Sequence, residues 1–146
     1  MRLPALVLVL STFIPNGGKT AESVHLEGEI IDTWCYFSGV MGGTDAVVGS
    51  AHHTCALWCA AGGIPVGLLT DDGSVYLILG FNGEDPVNND RLMDVQSQRL
   101  TVEGTAYERD GLRYLSVEQV VSTAGIVNRN HEDFGPVPPF AIPELN

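Results

Sequence analysis

Alternation of apolar and polar positions marks the strands of this chain. Val-His-Leu-Glu-Gly-Glu-Ile-Ile from Val24 to Ile31 alternates and predicts a strand ending at Asp32, with Gly28 as a bulge or a point of close packing. Pro65–Leu69 and Val75–Leu79 are apolar runs joined by Thr-Asp-Asp-Gly-Ser, the signature of a hairpin with an Asp-Gly turn. Arg99–Tyr107 alternates again. The turn Arg109-Asp110-Gly111 follows, and Leu112–Val121 returns as its partner strand. Between the first two strands, the Gly-, Ser- and Thr-rich stretch from Ser38 to Gly49 predicts a loop. Ser50 is placed to cap a helix that runs through Ala61 and stops at Gly62-Gly63. A brief helix is expected over Asp90–Val95.

Five short strands leave edges that so short a chain has little material to cover, and closing the sheet removes them. The expected fold is therefore mainly β, a small OB-like β-barrel with one short helix that bears cysteine and histidine. The 146 residues suit one such domain, assigned to residues 22–127. Ahead of it, Arg2 precedes an apolar run from Leu3 to Ile14 and the breakers Pro15-Asn16-Gly17-Gly18. That run is too short to span a bilayer and predicts a signal peptide over residues 1–21, hence a periplasmic or secreted product with no stable membrane insertion after its removal. Residues 128–146 hold Pro136, Pro138, Pro139 and Pro143, which predict an extended wrap or a loose end.

Charge narrows the partners. Seven Lys plus Arg against eighteen Asp plus Glu give −11, which opposes binding to nucleic acid or to an anionic membrane. The Gly-x-Ser-x-Gly elbow, a phosphate-cradling loop with lysine and the His-Glu-x-x-His helix are all missing from the sequence, so common hydrolase and nucleotide chemistries lose support.

The chemistry is concentrated in one stretch. All three cysteines and two of the four histidines lie between Cys35 and Cys59. On a helix turning about 100° per residue, His52, Cys55 and Cys59 share an arc of roughly 60°, whereas His53 points about 100° away and is the weaker candidate. Cys35, from the loop after the first strand, would complete a site built by two segments. Three thiolates and an imidazole make a soft donor set suited to copper, zinc or iron, the identity left open. Haem is a lesser reading, since Cys-x-x-Cys-His is absent. The metal set is thus Cys35, His52, Cys55 and Cys59. Asp32 is expected either to orient His52 or to cap the turn before Cys35.

These residues imply an exported metal-binding or electron-transfer module, working with a periplasmic redox or metal-trafficking protein. One alternative is a non-catalytic accessory domain with a disulfide from Cys35 to Cys55 or Cys59, which leaves one thiol over. A thiol oxidoreductase is the third reading, weakened because neither helical cysteine lies in the first turn, where the dipole lowers a thiol pKa most. Trp34, Tyr36 and Trp58 are expected in the core rather than as a shield over the site. Met41 and Met93 are weak soft-ligand candidates, and His25 and His131 are expected to be solvated.

The run Gly28-Glu29-Ile30-Ile31-Asp32-Thr33-Trp34-Cys35-Tyr36, followed by His52-His53-Thr54-Cys55-Ala56-Leu57-Trp58-Cys59-Ala60-Ala61-Gly62-Gly63-Ile64-Pro65, resembles an uncharacterised family of small exported bacterial proteins. Its members share Gly-x-x-x-Asp-x-x-Cys-Tyr and His-x-x-Cys-Ala-x-x-Cys-Ala-x-x-Gly-x-Pro, which here cover about the middle third of the chain. The resemblance implies export and a site defined by Asp32, Cys35, His52, Cys55 and Cys59.

Overall fold

A computed structural model describes residues 20–41 and 44–126. Residues 1–19 of the expected signal peptide and the whole of the Pro-rich tail lie outside the described residues. The elements are β1 (Thr20–Asp32), α1 (Thr33–Ser38), a 3-10 turn (Thr44–Val47), α2 (Gly49–Ala61), β2 (Val66–Thr70), β3 (Val75–Phe81), α3 (Asn89–Met93), β4 (Arg99–Arg109) and β5 (Leu112–Gly125). The strands form a closed sheet in the order β1-β2-β3-β5-β4, with β4 returning to β1. Every pairing is antiparallel except β3 with β5. The mainly β, OB-like reading is the fold observed, and closure leaves none of the five strands unpaired along either edge.

Inward positions of the alternating strands make the core. Ile30, Leu68, Leu100, Val102, Leu115 and Val117 are buried in one cluster, with Phe81 from β3 and Leu92 from α3. Met93 packs against that cluster as a filler. Gly28 keeps regular register with Thr70 and Leu100, so it is a point of close approach and not a bulge. A Cβ there would run into the Leu69 carbonyl. The irregular pairs lie instead along β5, in its pairing with β3 and with β4, where Gly104 lets the Ser116 carbonyl come equally close.

Two local expectations are corrected. Residues 33–38, expected in the loop after the first strand, form α1. Aromatic residues and cysteine are weak helix formers, so this single turn and a half depends on its ends. Asp32 caps the start through its side chain, and Gly39 closes the end in the left-handed region at φ 63°. Ser50 is not the cap of α2. The helix starts at Gly49 after Val48, whose side chain makes no capping bond. The Gly49 N–H donates instead to the buried Glu29 carboxylate of β1. A negative group at that end also complements the helix dipole.

The excursion from α1 to the start of β2 is tied to the barrel at both ends. Thr33 donates its backbone N–H (3.2 Å) and its hydroxyl (2.7 Å) to the Pro65 carbonyl, which joins the start of α1 to the entry of β2. The Asn89 side-chain amide donates to the carbonyls of Ala60 (3.0 Å) and Ile64 (2.8 Å) and so caps the far end of α2.

Candidate metal centre

Asp32 is the last residue of β1 and has no exposed surface. Each of its carboxylate oxygens has a separate partner. Oδ1 accepts the Cys35 backbone N–H at 3.0 Å, and Oδ2 lies 2.7 Å from His52 Nε2. Both roles expected of Asp32, capping and orienting, are therefore filled at once. An ionised carboxylate only accepts, so His52 Nε2 is the donor, and the neutral form of the ring then has its lone pair at Nδ1. His52 Nδ1 is buried and has no hydrogen-bond partner.

Three thiols converge beside this pair. The sulfur atoms of Cys35, Cys55 and Cys59 all lie within 4.8 Å of one another. Asp32, Cys35 and His52 form a second triad whose ligating atoms are equally close, so Cys35 belongs to both groups. His52 thus stands with Asp32 and Cys35, while Cys55 and Cys59 stand with Cys35. Cys35 is buried on α1, and the two helical cysteines are half-buried on α2. Helical spacing explains the pairing on α2, because residues four apart lie one above the other. His52, Ala56 and Ala60 continue the buried stripe.

All three cysteines are free, with no bridge from Cys35 to Cys55 or Cys59. Burial pushes the Cys35 thiol well above its ordinary value, and the neighbouring Asp32 carboxylate adds to that shift. Burial, then the charge of Asp32 and the nearness of Cys55, lifts Cys59 to about 11. A nucleophilic thiol needs the opposite shift, which counts against Cys35 and Cys59 in that role. Asp32 itself is held below the usual carboxylate range: burial alone would raise it, and the hydrogen bonds from His52 and Cys35 outweigh that burial.

His53 turns away as helical geometry requires. Its Nδ1 donates to the Gln96 carbonyl at 3.1 Å on the segment before β4. His25 is exposed beside Glu103, and Met41 is exposed at the end of the first described segment; His131 lies outside the described residues. The tryptophans are not core. Trp34 is 59% exposed and Trp58 76% exposed, and Tyr36 is only half-buried. Trp34 and Phe37 of α1, Val40 just after it and Trp58 of α2 give this part of the chain an exposed apolar surface. Its signal in the sequence is a run of low charge, since Asp45 is the one charged residue from Thr33 to Thr70.

Glu29 and Asn89, which hold the two ends of α2, were not singled out by the sequence. Glu29 occupies a polar position of an alternating strand, where exposure is the ordinary outcome, and Asn89 falls in a stretch that reads as a polar turn.

The donor set fits a soft transition-metal ion. Three thiols lie close enough to share one ion, and His52, grouped with Asp32 and Cys35 and not with Cys55 or Cys59, has its Nδ1 buried without a partner. Compared with known protein families, characterised proteins and solved structures, the chain has no match.

Proposed function

We propose that this protein is an exported metal-binding or electron-transfer module whose site is Cys35, Cys55 and Cys59, with His52 as the nitrogen donor through Nδ1. The observation that carries this reading is the convergence of three free thiols, from two helices, within 4.8 Å. Thiolate donors select copper(I), zinc or an iron–sulfur centre over oxygen-seeking ions. Once bound, such an ion supplies either a redox couple or a transferable cargo.

The residues of the chain do the rest. Asp32 fixes the ring of His52 and leaves Nδ1 as its free donor, the usual arrangement of a carboxylate behind a ligating imidazole. It also holds the start of α1, and with it Cys35, in place. Glu29 and Asn89 hold α2 at its two ends, which sets Cys55 and Cys59 opposite Cys35. The raised thiol pKa values mean that metal uptake displaces protons and is favoured as pH rises. Export and a periplasmic redox or metal-trafficking partner belong to this proposal through the N-terminal segment and the family resemblance.

Elemental analysis of the purified full chain, with a thiol count on the same sample after denaturation, tests it. About one equivalent of copper or zinc, or an iron–sulfur centre, lost on joint replacement of Cys55 and Cys59 by serine, is the expected result. A metal-free protein with one thiol and one disulfide would favour the accessory-domain reading. The same proximity of the thiols supports that second reading, because a bridge needs sulfurs that can close to about 2.05 Å.

A further inference from the structure

Two donor groups meet at Cys35. Its sulfur lies within 4.8 Å of those of Cys55 and Cys59, and it also groups with Asp32 and His52, whereas His52 groups with neither Cys55 nor Cys59. Three sulfurs so placed fit a single ion. With metal–sulfur bonds of about 2.3 Å, sulfurs that share one ion lie about 3.8 Å apart in a tetrahedron and about 4.0 Å apart in a flat triangle. An iron–sulfur cluster spreads its ligands over several irons and draws on four protein donors, most often four cysteines, where this chain has three.

The soft single ions differ in what they need. Structural zinc is almost always held by four donors in a tetrahedron, so three sulfurs leave a corner that His52 has to fill. Monovalent copper has a filled d shell that imposes no fourth ligand, and soft sulfur is its preferred donor. Divalent copper prefers nitrogen and oxygen in a tetragonal set, and copper sites that pass electrons combine one thiolate with two imidazoles. Here the proportion is reversed. The other histidine of α2, His53, is turned to the Gln96 carbonyl at 3.1 Å, which leaves three thiols and one imidazole. Such a set holds copper in one oxidation state, and so carries the ion without cycling it.

We infer that the substrate of this site is monovalent copper, seated on the sulfurs of Cys35, Cys55 and Cys59 with His52 as a lesser donor beside Cys35, and that the protein carries the ion as cargo. The inference rests on the metal-binding reading above and narrows it. Cys55 and Cys59 are half-buried, while Cys35 is 3% exposed. Exchange with another thiol-bearing copper(I) carrier therefore begins at the two sulfurs of α2 and ends at Cys35. Each incoming thiolate replaces one outgoing thiolate, and the oxidation state of the ion does not change.

The test loads the reduced full chain, without oxygen, with copper(I) or with zinc, and measures each affinity by chelator competition in the parent and in His52→Ala. Copper(I) is expected to displace zinc from the parent, and the substitution to cost copper(I) about tenfold and zinc about a hundredfold or more. Equal losses for the two ions, or zinc retained against one equivalent of copper(I), would overturn the assignment while leaving a metal site in place. Uptake of neither ion by the parent would overturn the metal-binding reading, and this inference with it. Should His52→Ala fail to fold, X-ray absorption of the copper-loaded parent decides: a shell dominated by three sulfurs is expected, and one with two or more nitrogens overturns the assignment. Addition of hexacyanoferrate(III) to the copper-loaded chain is expected to give no stable protein-bound copper(II) signal in electron paramagnetic resonance. Such a signal would show a redox couple and overturn the cargo role.

Discussion

The Asp32 carboxylate lies 2.7 Å from His52 Nε2, with both side chains almost fully buried, and its second oxygen holds the backbone of Cys35. One residue at the end of a strand thus positions a donor on each of two helices. Replacing Asp32 by Ala leaves the His52 N–H and the Cys35 N–H buried without partners. The expected loss is about 2–3 kcal/mol of folding stability in the metal-free protein, read from urea denaturation. Asp32→Asn keeps an acceptor for Cys35 and should lose less.

The two histidines should behave differently. His52→Ala removes the nitrogen donor and is expected to weaken metal affinity at least tenfold, while His53→Ala should leave affinity unchanged, since His53 turns to the Gln96 carbonyl. Competition with a chelator of known affinity separates the two outcomes.

Glu29 gives the fold an opposite pH response to that of Asp32. Burial raises the Glu29 carboxyl above its ordinary value, against the lowering effect of the Gly49 N–H and of Arg99. A raised folded-state pKa stabilises the protein fully below the unfolded value, and that contribution is lost as pH rises through the folded value. Asp32, held low, contributes stability above the unfolded carboxylate value that is lost as pH falls through its folded value. Glu29→Gln keeps an oxygen for Gly49 and should gain on the parent protein as pH rises above the ordinary carboxylate value, as measured by urea midpoints.

Gly28→Ala places a methyl group against the Leu69 carbonyl, between two strands whose register is fixed on both sides. Overpacking against backbone is expected to cost about 1–3 kcal/mol, read as a fall in the thermal midpoint. Trp58→Ser is the contrasting case. At 76% exposure it should change stability by no more than about 0.5 kcal/mol, where a core tryptophan would cost several.

The strands were legible because one face of each is buried, and period-two alternation records that directly. The shared face of His52, Cys55 and Cys59, and the divergence of His53, followed from helical spacing alone. What stayed hidden depends on contacts between distant segments. Helix α1 has poor intrinsic propensity and exists through Asp32 and Gly39, while α2 is capped by a carboxylate twenty residues earlier in the chain. The exposure of Trp34 and Trp58 also runs against ordinary burial preferences, which assign such side chains to the core.

Anaerobic titration of the reduced full chain with copper(I) or zinc, followed by the number of thiols still open to a thiol reagent, tests the three-thiol site most directly. Saturation near one equivalent, with Cys35, Cys55 and Cys59 protected together and protons released, is the predicted result. Saturation with any of the three thiols still freely reactive, or no uptake at all, would contradict a site made jointly by α1 and α2.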